Sequence, residues 1–189
     1  MRFALRVLAV LVIGTALGLF LTWATVVRGM PGDVQDGPWH TSLLVGSAAS
    51  GPYLRASVAI HGLLALNRHE TIYYSTSRDD AGDRLEGNCT YRVAGRDPAA
   101  RWWSITAYGP DDYLIPNAAN RYSVSKNAVA REDDGSFIVM VAHGDSGPNW
   151  IPVGDGPFSL SLRLYNPQAS VTADPAKVAL PTIEKAGCS

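Results

Sequence analysis

The stretch "PNAANRYSVS", residues 116–125, crowds Asn117, Asn120, Arg121 and Tyr122 into one short segment. Each asparagine offers an acceptor and two donors, the arginine a planar fork of five donors, and the tyrosine a hydroxyl on a ring. Such a set can bind a small ligand: Arg121 would meet a carboxylate or phosphate while Tyr122 stacks on a ring. Asn149 and Trp150, in "NWIPVGDGP", would add an adjoining rim of the same chemistry. The same residues can equally build a tight corner. Asparagine side chains bond the backbone of turns and tolerate left-handed conformations, and an arginine can bridge carbonyls at a sheet end. Both readings stand on the sequence alone. The ligand reading makes Asn117, Asn120, Arg121, Tyr122, Asn149 and Trp150 the binding residues. The corner reading makes Arg121 a stabilising residue held by carbonyls and largely out of bulk water.

Other chemistry is thinner. The four histidines, His40, His61, His69 and His143, are never four apart, and no cysteine accompanies them, so neither a metal nor a cofactor is expected. His61 lies on a mostly apolar helical face and reads as a hydrogen-bonded core histidine rather than a base. "RDDAGDRLEG" holds Asp79, Asp80 and Asp83 but lacks the alternating ligands and closing glutamate of a calcium loop; it reads as a solvated turn. Asp111, Asp112, Asp145 and Asp155 are carboxylates available for acid or base work, yet none has a partner nearby in sequence. There is no G-x-S-x-G elbow, no P-loop, no H-E-x-x-H and no G-x-G-x-x-G after a strand. A formal net charge of −1 without a basic stripe argues against nucleic acid.

The address is clearer. Residues 1–28 read as a transmembrane anchor. Arg2 and Arg6 precede an uncharged run, residues 7–27, long enough to cross a bilayer core of about 30 Å. A cleaved signal would have a shorter apolar run and a small-x-small site. Trp23 sits where an interfacial aromatic belongs. The flanking arginines put the N-terminus in the cytoplasm, so the expectation is a single-pass inner-membrane protein with a periplasmic globular domain. The only two cysteines, Cys89 and Cys188, both fall in that exported part, where an even pair is expected to form a disulfide.

Residues 29–51 read as a linker and lead-in to the fold, and 52–189 as the β-sandwich domain. "PYLRASVAIHGLLALN", 52–67, has helical spacing, with Pro52 at a first helical position. Beyond residue 69 the period drops to two. "ETIYYSTS", "NCTYRVA", "RWWSITAY", "SFIVMVAH" and "PFSLSLRLYN" read as strands. In the last, Phe158, Leu160, Leu162 and Leu164 point one way, and Ser159, Ser161, Arg163 and Tyr165 the other. "SFIVMVAH" is apolar on both faces, as a strand between layers would be. Asp134–Gly135 is a turn signal. The pattern gives a mainly β protein, a β-sandwich with one packed α-helix behind a single N-terminal transmembrane helix.

Residues 53–187 resemble the family called domain of unknown function 1214. The resemblance rests on "YLRASVAIHGLLAL", "ETIYYSTSRDDAGDRLEGNCTYRV", "RWWSITAYGPDDYLIPNAANRYSVS", the "DDGS" turn, "NWIPVGDGPFSLSLRLYNP" and the closing "LPTIEKAG". It implies a jelly-roll-like sandwich and supplies no activity. Longer bacterial members carry a partner domain, 1254, ahead of it; this chain resembles a short, membrane-anchored version without it. The expected function is an envelope module that binds a small molecule, a glycan or a protein partner. The alternative is a hydrolase or isomerase of small polar or carbohydrate-like substrates.

Overall fold

The computed structural model describes residues 2–27, 34–61 and 64–188. Helix α1 (Arg2–Val27) is followed by strands β1 (Val34–Asp36) and β2 (Trp39–Thr41), then helix α2 (Pro52–Ile60). Strands β3 (Thr71–Thr76), β4 (Cys89–Gly95), β5 (Ala100–Tyr108), β6 (Ser123–Ser125), β7 (Phe137–Ala142), β8 (Trp150–Pro152) and β9 (Ser159–Pro167) come next. A short helix α3 (Ala169–Ala173), a 3-10 turn (Pro175–Lys177) and β10 (Thr182–Cys188) close the chain. The 26 residues of α1 would extend about 39 Å. Over its most apolar 18 residues the mean hydropathy is 2.3, and it is long and apolar enough to cross a membrane.

The strands form two sheets, in the orders β1-β2-β3-β9-β5-β6 and β10-β4-β7-β8. Neighbours are antiparallel except β7 and β8. The sheets share one core because alternate residues of each strand point inward. Leu160, Leu162 and Leu164 of β9 are fully buried with Trp103 and Ile105 of β5 and Ile72 and Tyr74 of β3. The small sheet answers with Tyr91, Val93, Phe137, Val139, Val141, Ile151 and Ile183. Trp103 stacks on Phe137 across the layers at 4.7 Å between ring centroids. The polar tips of three buried aromatic residues find partners, as burial favours. The Trp103 indole donates to Asp97 Oδ1 at 2.9 Å, Trp39 to the Pro181 carbonyl at 2.8 Å, and the Tyr74 hydroxyl to the Pro175 carbonyl at 2.8 Å.

Cys89 and Cys188 stand directly opposite one another on β4 and β10 and are disulfide-bonded. The edge strand β10 is thereby tied covalently to its neighbour.

Three sequence expectations need adjusting. The stretch expected as a linker contributes β1 and β2, and β2 pairs with β3 through His40 and Ser75. Trp39 drives this: its ring is 1% exposed, and burying so large an apolar surface outweighs the turn-rich composition around it. The helix expected over 52–67 ends at Ile60; residues 62–63 lie outside the described residues. Beyond them the Leu64 carbonyl and the Leu66 N–H are taken by the Tyr73 hydroxyl, which replaces helical bonding with a side-chain clamp. In β7 only Phe137, Val139 and Val141 face the core, while Ile138 and Met140 are half-buried.

Candidate functional site

The residues expected to bind ligand are brought together. Asn117 accepts the Arg121 N–H through Oδ1 at 3.0 Å and donates to the carbonyls of Ile115 and Arg121 at 3.0 and 2.9 Å. Asn120 takes a left-handed φ of 50°, which asparagine tolerates. Arg121, half-buried, donates to the Pro148 carbonyl and so joins this turn to the stretch before β8. Asn149, 8% exposed, donates to the carbonyls of Ala130 and Ile138 at 2.6 and 3.0 Å and accepts the Ala130 N–H at 2.7 Å. The Trp150 indole donates to the Ala142 carbonyl at 2.9 Å. Tyr122 is half-buried beside them. The polar ends of Asn117, Arg121, Asn149 and Trp150 therefore serve backbone groups.

A second constellation lies on the outer face of the six-stranded sheet. Strand periodicity sends Ser161, Arg163 and Tyr165 of β9 away from the core. Their register neighbours are Ser75, Tyr73 and Thr71 on β3, and Thr106, Ser104 and Trp102 on β5. Ser104, Thr106 and Ser161 are buried although they belong to the outer face. A cavity of about 390 Å³ sits here, lined chiefly by His61, Leu64, Tyr73, Tyr108, Asp112 and Arg163.

Arg163 is the cation of this cavity. Its guanidinium donates to the Tyr108 hydroxyl at 2.5 Å and to Thr106 Oγ1 at 3.3 Å, and lies 5.3 Å from the centroid of the Tyr108 ring. Two of the five guanidinium donors are spent on neutral hydroxyls. Among the described residues no carboxylate comes within ion-pair distance of it. A half-buried cation with neutral partners favours an incoming anion, since partial desolvation strengthens the attraction.

Asp112 and His61 both line the cavity. Asp112 has a left-handed φ of 64° in the loop after β5. Its Oδ2 is 3.9 Å from His61 Nε2, at the outer limit of an ion pair. His61 Nδ1 is 2.8 Å from the Ser57 carbonyl; a carbonyl only accepts, so Nδ1 carries a proton and Nε2 faces Asp112. This pair can take up or give one proton at Nε2. The other carboxylates are placed elsewhere: Asp155 lies 3.5 Å from His143, and Asp111 and Asp145 accept turn N–H groups.

Sequence reasoning did not assemble this cavity. His61 and Asp112 are 51 positions apart, and Arg163 reads as one of several outward residues on β9. The signal present was aromatic. Tyr73, Trp102, Tyr108 and Tyr165 all fall on a face that a solvated sheet would fill with charged and small polar side chains.

The model of the family described as Protein of unknown function (DUF1214) matches residues 70–169. That span runs from the start of β3 to the start of α3 and includes Tyr73, Tyr108, Asp112 and Arg163. The VPA0106 protein from Vibrio parahaemolyticus has a similar structure, with a TM-score of 0.61 and 24% identity over 72% of this chain. The match covers 36% of that protein, so the chain corresponds to about a third of its length and the likeness concerns the fold. An uncharacterised protein from Burkholderia cenocepacia matches more distantly, with a TM-score of 0.41 and 15% identity over 61% of this chain and 29% of its own. Among curated proteins none matches. On the strength of a family match that covers more than half of its length, the chain belongs to the DUF1214 family of proteins of unknown function.

Proposed function

We propose that this chain is a membrane-anchored envelope module that binds a small anionic ligand in the cavity over Arg163. The observation that carries the reading is the Arg163 guanidinium itself. It is half-buried on the cavity floor, held by Tyr108 and Thr106, and has no carboxylate partner among the described residues. The ligand would place a carboxylate or phosphate on the remaining donors and lay its body against Tyr73, Leu64 and Leu66. The anchor would be α1, in the inner membrane with its N-terminus in the cytoplasm, and the sandwich would lie in the periplasm. The disulfide supports an oxidising compartment. Ligand contact at Asn117, Asn120, Arg121, Tyr122, Asn149 and Trp150 is the weaker form of the proposal, because four of these side chains already serve backbone groups.

The test is a thermal-shift series on the full chain in a neutral detergent, with acetate, phosphate, sulfate and a sugar acid. Phosphate or a carboxylate should raise the melting temperature of the wild type and not that of Arg163→Gln. Equal responses in both would remove Arg163 from the reading.

One observation favours the second reading, a hydrolase or isomerase of small polar or carbohydrate-like substrates. His61 Nε2 and Asp112 Oδ2 face the same cavity, close enough to share proton transfer with a bound molecule. The readings separate by turnover. An enzyme would convert a bound sugar acid or ester in a way that His61→Ala abolishes, whereas a binding module would return it unchanged.

A further inference from the structure

The cavity wall is continuous with the membrane anchor. Helix α1 packs against α2. Among the described side chains of α1 only Ala24 and Val26 lose their exposure, so the contact is made by its last turns. A span that fills a hydrocarbon core of about 30 Å uses roughly 20 residues, so these last turns emerge at the bilayer interface. Helix α2 must then lie at that interface too. Its nine residues are about 14 Å long and end at the C-cap His61, a residue of the cavity wall.

The side chains along this path suit a lipid surface. Tyr53 is 49% exposed, Ile60 61% and Leu64 85%, three apolar side chains left open in one stretch. Arg55, whose guanidinium donates to the Ser50 and Ala48 carbonyls, and Arg68 are exposed in the same stretch of chain, and basic side chains beside a membrane attract anionic headgroups. Asp112 is the opposing charge at the mouth, and it faces His61 rather than Arg163. The cavity thus runs from an apolar rim near the bilayer to a cation on its floor. Its volume suits a headgroup and the first few carbons of a lipid, not two whole acyl chains.

We infer that the cavity takes the anionic headgroup of a lipid from the bilayer in which α1 is anchored. The inference rests on the anion-binding reading of Arg163 and adds the source of the anion. The phosphate or carboxylate of the headgroup meets Arg163, and the apolar part leaves past Leu66 and Leu64 toward the membrane.

The full chain is reconstituted in nanodiscs of phosphatidylcholine alone or with phosphatidylglycerol or phosphatidic acid, and its melting temperature is read in 150 mM salt. Anionic lipid should raise it by about 3 °C or more, as expected for a ligand held only by the folded state. Arg163→Gln should lose this rise. Ile60→Asn, a change on the exposed apolar path outside the cavity lining, should lose it while keeping the response to millimolar inorganic phosphate in phosphatidylcholine discs. The Ile60 variant decides the matter where Arg163→Gln does not fold. A response to free phosphate without one to anionic lipid overturns the lipid source and leaves the anion site standing. A lipid response that survives both substitutions overturns the inference in favour of general surface charge. A chain that answers neither lipid nor phosphate overturns both this inference and the reading beneath it.

Discussion

Arg121 and Arg163 show how the same side chain takes opposite roles. Arg121 closes a corner that Asn117 has already folded, and donates to a carbonyl. Arg163 donates only to hydroxyls and keeps its remaining donors toward a cavity. Arg121→Ala should therefore cost stability, about 1 kcal/mol for one exposed-side hydrogen bond. Asn149→Ala should cost more, about 3 kcal/mol, because three backbone groups in part-buried bonds lose their partner together. Arg163→Gln, which gives up bonds to two hydroxyls, should cost about as much as Arg121→Ala and reduce anion binding. Chemical denaturation of the three variants ranks them; an Asn149→Ala protein as stable as Arg121→Ala would contradict this account of the corner. The corner was legible in "PNAANRYSVS" because turn chemistry is local. The cavity was not, because its residues meet only through strand register and a loop.

At the scale of elements, the long strands were legible and the short ones were not. The five runs with clear period-two patterning became β3, β4, β5, β7 and β9. Strands β1, β2, β6 and β8 have three residues each, too few for a period to appear. In β10 Ile183 is the buried residue and the rest are exposed, so no alternation marks it. Three kinds of bond besides the ladder hold β10. Asp80 accepts the Ile183 N–H at 2.8 Å, Lys185 donates to Asp83 at 2.7 Å, and the disulfide closes a separation of 99 residues. Replacing both cysteines with serine should lower stability by up to about 4.7 kcal/mol, the chain-entropy value for such a loop, without changing the circular dichroism of the sandwich. Acid should also weaken this framework. The Asp83 carboxyl is held below its ordinary range by its hydrogen bond with Lys185, and Asp134 by its bonds from Ser136. Burial pushes Asp97 up, but the hydrogen bonds from Arg131 and Trp103 together outweigh it and the carboxyl ends below its ordinary value. A carboxylate depressed in the folded state contributes stability that is complete above its unfolded value, near pH 4, and is lost as pH falls through the folded value. Denaturation curves at pH 6 and pH 3 should show that loss, and Asp97→Asn should shrink the difference between them. An unchanged difference would remove Asp97 from the acid response.

At the scale of the whole molecule, α1 was the plainest signal in the sequence, since its length and apolarity alone mark a helix able to cross a membrane. What the sequence hid was the contact between α1 and α2. Two Trp residues mark why: Trp39, in the stretch read as linker, is buried in the core, whereas Trp23 near the end of α1 is exposed. The proposed orientation makes two measurable demands. Alkaline phosphatase fused after Ser189 should be active, because it folds only outside the cytoplasm. Intact mass of the membrane-extracted chain should include residues 1–28. An inactive fusion would reverse the orientation, and a mature chain beginning near residue 30 would remove the anchor.

The central claim is that an anion binds at Arg163, and calorimetric titration tests it most directly. Glycerol phosphate is titrated into the full chain in neutral detergent, beside Arg163→Gln at matched concentration and salt. One saturable site per chain is expected for the wild type. Charge-assisted hydrogen bonds contribute about 1.5–3 kcal/mol, so the variant should bind roughly 10- to 100-fold more weakly. A wild type without saturable heat, or a folded Arg163→Gln protein that binds glycerol phosphate equally well, would contradict the account.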